Sequence, residues 1–240
     1  MIKLTSLAFA VAALAMMGTA AAQTAQPAAS RPVVNAPPPI DAPALIGSAP
    51  APDSVRAAAD RLSMRSQVSA ERLARANADN PWTPWVAMQP VFGDAFNEQH
   101  LPRTARVFAD VLRGLSPAIG AAKNANNRPR PLITDPSLLR CDALDPAVAA
   151  QSSFPSGHGA GGWAWALVLA ELVPARADAI LQRGRDFGDS RVICGYHYPS
   201  DIDAGRTIAS GVIARMHADA AFRRDLDAAR SELARAYPAH

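Results

Sequence analysis

The segment from Gly157 to Leu172 limits the fold more than any other part of the chain. It has helical length and is unusually apolar, with Trp163, Ala164, Trp165, Leu167, Val168 and Leu169 spread over most of its faces. A helix that is apolar on most sides must be covered by neighbours on most sides. The rest of the sequence offers such neighbours. Leu101 to Lys123 reads as a helix with a break near Ser116-Pro117, and Leu112, Leu115 and Ile119 recur at helical spacing. Ser54 to Ala78 holds helix formers without Pro or Gly, after a candidate N-cap at Asp53. Ala175 to Phe187 and Ala218 to Ala236 are amphipathic, and Asp201 to His217 is rich in Ala, Ile and Val. Arg128 to Ala150, with four prolines, reads as loop. No alternating pattern of useful strand length occurs. The pattern predicts an all-α, single-domain helical bundle over residues 53–240.

The N-terminal residues read as a targeting segment. Lys3 supplies a positive start, Leu7 to Met17 is apolar but too short to span a bilayer, and Ala20-Ala21-Ala22 offers small residues for cleavage before Gln23. Residues 1–22 are therefore expected to be a signal peptide, with the rest exported to the periplasm or beyond. No other segment looks transmembrane, so no membrane partner is expected after cleavage. Residues 23–52 carry eight prolines, few charges and few large apolar side chains, and read as a linker or extended arm. The formal charge is only +3, with basic residues scattered among acids, which gives little support to a nucleic-acid partner. Cys141 and Cys194 are an even pair in an exported chain, which favours a disulfide over two buried thiols. Too few ligands accompany them for a zinc site. Trp82 and Trp85, in the stretch that ends the helix before them, read as packing anchors.

Three segments carry chemistry. Lys123-Asn124-Ala125-Asn126-Asn127-Arg128-Pro129-Arg130-Pro131 places three cations where a helix ends. Guanidinium groups offer paired donors to phosphate oxygens and a lysine adds a point charge; simple capping of the helix end is the other reading. Ser152-Ser153-Phe154-Pro155-Ser156-Gly157-His158-Gly159 opens the apolar helix. The free amides of a helix N-terminus bind anions, Gly157 allows close approach and Ser156 can add a donor; a serine N-cap with an incidental histidine is the alternative. Arg191, His197 and Asp201 form the third group. A neutral imidazole is a good nucleophile at phosphorus, and Asp201 can fix its tautomer. A structural His-Asp pair with Arg191 on the surface fits the same residues.

The three segments in order give Lys123-x6-Arg130-Pro131, Pro155-Ser156-Gly157-His158 and Ser190-Arg191-x5-His197-x3-Asp201. This resembles the signature of the type 2 phosphatidic acid phosphatase superfamily, which also holds the vanadium haloperoxidases. Gly162-Trp163-Ala164, Arg183-Gly184, Arg191 to His197 and Asp201-x-Asp203-Ala204-Gly205-Arg206 are similar to the secreted class A bacterial non-specific acid phosphatases, from about Asp53 onward. The resemblance implies that family's helical bundle and hydrolysis of small phosphate monoesters of broad range. It also implies a phosphohistidine, no metal or other cofactor, a homo-oligomer, and phosphate transfer to other alcohols as a possible side reaction. By it, His197 is the nucleophile, Asp201 orients it, and His158 is the acid and then the base. Lys123, Arg130, Ser156, Gly157 and Arg191 hold the phosphoryl oxygens, the spacing selecting Arg130 over Arg128. A vanadium-dependent haloperoxidase and a non-catalytic phosphate-binding protein are the competing readings. Gly159, Tyr198 and Phe154 depart from the frequent Thr, Trp and Tyr of these enzymes. None removes a catalytic group, and they bear on substrate preference.

Overall fold

The computed structural model describes residues 40–238, so the expected signal peptide and most of the Pro-rich arm lie outside the described residues. Side-chain caps set most helix starts. Ser54 Oγ accepts from the Ala57 amide at α2 (Val55–Ser63), and Ser69 caps α3 (Ala70–Ala78). Thr83 caps α4 (Pro84–Phe92). Ser156 Oγ accepts from the Gly159 amide at α8 (Gly157–Leu172), and Asp219 caps α11 (Ala220–Ala236). Each satisfies an amide that has no partner inside the helix. Between them lie α5 (Pro102–Asn124), the single-turn α6 (Pro131–Thr134) and α7 (Pro146–Ala149), α9 (Ala177–Ile193) and α10 (Pro199–Met216). A short α1 (Ala42–Ile46) precedes them all. No strand occurs among the described residues, and the fold is all-α.

As its composition requires, α8 is the centre. Ala160, Ala164, Trp165, Ala166, Val168 and Leu169 are wholly buried. Helices α9 and α10 pack along it, and α4, α5 and α11 complete its cover. The α8–α9 approach is tighter than ordinary side chains allow. A Cβ on Gly184 would lie 2.4 Å from Ala166 Cβ and 2.8 Å from the Gly162 carbonyl. Because α8, α9 and α10 follow one another through short connections, the start of α8, the end of α9 and the start of α10 meet at one end. The second and third chemical segments are carried on those ends.

Several elements depart from expectation. The cap of α2 is Ser54, not Asp53, and the predicted helix 54–78 is two helices separated by residues 64–69. Helix α5 runs unbroken past Pro117. Pro117 can give no amide bond to the preceding turn, but burial of Leu115, Ala118, Ile119 and Ala122 carries the helix through. Helix α4, with an internal Pro90, was not foreseen. Helix α9 continues past Phe187 to Ile193 because its glycines pack on α8. The loop 128–150 contains α6 and α7. The end of the expected arm is ordered: Ala42 is wholly buried in the core, and the Ala49 amide donates to Asn126 Oδ1 at 2.8 Å.

Candidate active site

The helix ends surround a cavity of about 410 Å³. Lys123, Arg130, Gly157, His158, Arg191 and His197 all line it. The sequence therefore named residues that the fold does gather.

His197 lies in the turn between α9 and α10. That turn is shaped by Gly195, whose φ of +83° belongs to the left-handed region and whose added Cβ would lie 2.2 Å from the Leu138 carbonyl. The Cys141–Cys194 disulfide forms as expected, with 4.9 Å between the Cα atoms, and ties the 141 loop to the residue before Gly195. His197 is 3% exposed. Arg130 Nη1 donates to its Nε2 at 3.1 Å. A guanidinium only donates, so Nε2 must carry a lone pair and the proton of the neutral ring sits on Nδ1. Nδ1 in turn faces Asp201 Oδ2 at 3.5 Å and Ser153 Oγ at 3.4 Å. Burial, with Arg130 and Lys123 nearby, holds the His197 pKa down to about 3 against the pull of Asp201. The ring is neutral in the free site.

Asp201, on the first turn of α10, is wholly buried. Its Oδ2 accepts from Ser153 Oγ at 2.5 Å and from the Tyr198 amide at 2.8 Å, and its Oδ1 accepts from Arg128 Nη1 at 2.6 Å. Burial alone would raise its pKa. The bonds and charges of His197, with Arg128 and Ser153, outweigh that and keep it below the usual carboxylate value. The carboxylate is thus held ionised and aimed at Nδ1.

His158, on the first turn of α8, donates from Nε2 to the backbone carbonyl of Asn80 at 2.9 Å. A carbonyl only accepts, so Nε2 bears the proton and Nδ1 is the ring nitrogen free to exchange one. The ring stacks on Phe187 with centroids 5.3 Å apart. Burial first, then Arg191, His197 and Arg130, lowers its pKa to about 3. Arg191 ends α9. Its Nη1 donates to Asn80 Oδ1 at 3.0 Å and its Nη2 to the Ala76 carbonyl, while its buried Nε has no protein partner among the described residues. Burial brings its pKa down to about 10, so it stays a cation.

Arg130 is 4% exposed. Its Nε donates to the Val148 carbonyl and its Nη1 to the Tyr196 carbonyl, both at 3.1 Å, as well as to His197. Lys123 Nζ donates to the Ser152 carbonyl at 2.5 Å. Burial and the Arg130 charge lower the Lys123 pKa to about 8. Gly157 borders the cavity, and a Cβ there would meet nothing within 4 Å. Ser156 is buried beneath as the cap of α8, accepting from Gly159, which leaves its own hydroxyl proton to donate.

Sequence reasoning missed several members of this site. Asn80, which the sequence does not single out, holds Arg191 by its side chain and His158 by its carbonyl. Ser153 supports both Asp201 and His197. Asp60 accepts from Arg128 Nη2 at 2.8 Å and from the Ser200 amide at 3.0 Å. Arg128 therefore bridges two buried carboxylates, Asp60 and Asp201, and does not line the cavity. Trp85 is the packing anchor expected, against Phe96 and Phe108. Trp82 is not only that: it is 36% exposed and lines the cavity. Only Ser153, three residues before the motif serine Ser156, had a local signal.

A helical domain that turns buried cations, two neutral imidazoles and a helix N-terminus into one cavity is suited to a tetrahedral oxyanion. Residues 108–225 match the PAP2 superfamily. Among named proteins it is similar to an acid phosphatase of Zymomonas mobilis, 46% identical over 136 residues, covering 57% of this chain and 52% of that one. It is 38% identical over 151 residues to a non-specific acid phosphatase of Providencia stuartii, covering 62% and 60%. A non-specific acid phosphatase of Salmonella typhimurium is 36% identical over 169 residues, covering 70% and 63%. The chain thus spans between half and two thirds of the length of these relatives.

Proposed function

We propose that this chain is an acid phosphatase that hydrolyses phosphate monoesters through a phosphohistidine on His197. The observation that carries the reading is the tautomer of His197: a neutral, buried imidazole whose Nε2 lone pair is held at the cationic Arg130 beside the cavity. The nearness of named acid phosphatases in sequence supports it.

In the proposed reaction Nε2 attacks phosphorus and the ester P–O bond breaks. The leaving oxygen takes a proton from His158, and the positive ring on His197 is stabilised by Asp201 at Nδ1. A water then gives its proton to His158 and attacks phosphorus, the N–P bond breaks, and inorganic phosphate leaves with His197 neutral again. Lys123, Arg130, Arg191, Ser156 and the amides at Gly157 hold the phosphoryl oxygens, so the developing charge is met by fixed donors and no metal is called for.

His158 is neutral in the free site, so its proton must arrive with the substrate. A monoester near its second pKa of about 6 can bring that proton as the monoanion. The phosphoryl dianion then favours its retention on the ring. This route favours acidic pH. Export, a broad substrate range, transfer to other alcohols and a homo-oligomeric state belong to the same proposal and rest on the resemblance. The test is hydrolysis of p-nitrophenyl phosphate with chelator present. His197→Ala should abolish it, and His158→Ala should spare this good leaving group more than an alkyl phosphate. Turnover in His197→Ala, or halide oxidation with vanadate and peroxide in place of hydrolysis, would overturn the reading.

A further inference from the structure

We propose that Trp82 and the apolar rim around it form a leaving-group site that favours monoesters of aromatic alcohols. The inference rests on the phosphatase reading and names the substrate class of that same cavity. The cavity has two chemically distinct parts. One is the cationic end already described. The other is lined by Trp82, Ile119, Leu144 and Val148. Among the described residues no carboxylate lines it, and its only charged groups are the cations of the phosphate end.

The position of Trp82 relative to the chemistry is set by the backbone. Asn80 accepts the His158 proton on its carbonyl, and Trp82 is two residues further on. Trp82 and His158 both line the cavity, so a group that leaves phosphorus toward His158 leaves into the space that Trp82 helps to wall. The indole is also held from behind. It packs on the wholly buried Trp165, with centroids 6.1 Å apart and planes tilted by 45°. It reaches so close to α8 that a Cβ on Gly161 would lie 2.4 Å from its Nε1. A braced aromatic ring that stays 36% exposed at the cavity wall loses little freedom when a second ring stacks on it. A polyol in the same place would turn most of its hydroxyls toward apolar walls, with Ser116 and Gln151 the polar side chains of the lining outside the phosphate end and its Asn80 and Tyr196 neighbours.

The experiment compares phenyl phosphate with glycerol 3-phosphate as substrates, and phenylphosphonate with methylphosphonate as non-hydrolysable ligands. Each is measured on the wild type, Trp82→Ala and Trp82→Phe. Stacking on one ring is worth about tenfold in affinity. Trp82→Ala should lower kcat/KM for phenyl phosphate about tenfold and raise the phenylphosphonate Kd by a similar factor. Glycerol 3-phosphate turnover and methylphosphonate binding should stay within about twofold, which also reports an intact fold, and Trp82→Phe should retain most of the aromatic preference. Equal losses on both members of a pair, or no loss on either, would overturn the inference. If the wild type hydrolyses neither ester, the phosphatase reading fails, while the phosphonate pair still decides the role of Trp82.

Discussion

Replacing Arg128 by Met removes a charge at a point where the structure shows two buried carboxylates sharing one guanidinium. Arg128 is 9% exposed, with Asp60 at 2.8 Å and Asp201 at 2.6 Å. Its guanidinium also lies 3.9 Å from the centre of the Tyr198 ring. Methionine keeps much of the packing but leaves Asp60 and Asp201 without their common counter-charge. Breaking a buried ion pair from one side costs about 3 to 5 kcal/mol. Against a typical total of about 5 to 15 kcal/mol that is a large share. In urea, with a slope of about 2 kcal/mol per molar, the midpoint should fall by roughly 2 M. A pH effect accompanies it. The folded pKa of Asp201 is depressed, so its contribution to stability is present above the unfolded value of about 3.9 and is lost as pH falls through the folded value. Without Arg128 the folded value rises toward the unfolded one, and that contribution shrinks. Binding of inorganic phosphate at pH 7 should change less than about threefold, because Arg128 is spent on carboxylates. If Arg128→Met leaves the urea midpoint unchanged but weakens phosphate binding tenfold or more, Arg128 is a phosphate ligand and the clamp argument is wrong.

The disulfide should matter to stability through the 53 residues of sequence separation it closes, worth about 4 kcal/mol by loop entropy; a Cys141→Ser/Cys194→Ser protein that melts with the wild type under oxidising conditions would contradict this. Ligand-free protein should lose stability in acid through His197, as through His158. The His197 pKa is about 3 folded and about 6.5 unfolded, so between those values only the unfolded chain takes up the proton, and stability falls as pH drops through that window. Inorganic phosphate, by favouring the protonated imidazoles, should stabilise most at the acid end, and a His197→Gln protein with the wild-type acid slope in its melting temperature would refute the assignment.

How much of this was legible before folding can be judged residue by residue. The helix Gly157–Leu172 was readable to its ends, because its apolar composition and its serine cap are local signals. The extent of α9 was not, because Gly184 and Gly188 weaken a helix in isolation and strengthen this one only by admitting α8. The break assigned at Pro117 failed for a similar reason: burial of the neighbouring residues outweighed a missing hydrogen bond.

The site divides along the same line. Lys123, Arg130, Ser156, Gly157, His158, Arg191, His197 and Asp201 could be named from the sequence, since their side-chain chemistry and order are properties of the chain itself. What each does there depends on partners far along the chain. Arg128 and Arg130 are two guanidiniums two residues apart, yet one borders the cavity and the other clamps Asp60 and Asp201. Asn80 acquires its role only because α8 and α9 bring His158 and Arg191 to it. Trp82 and Trp85 share one short stretch, and packing sends one to the core and the other to the cavity wall. Local sequence fixes which groups are present, whereas the direction a side chain faces is decided by contacts between distant residues, such as Asp60 and Ser200, 140 positions apart, and those exist only in the tertiary structure.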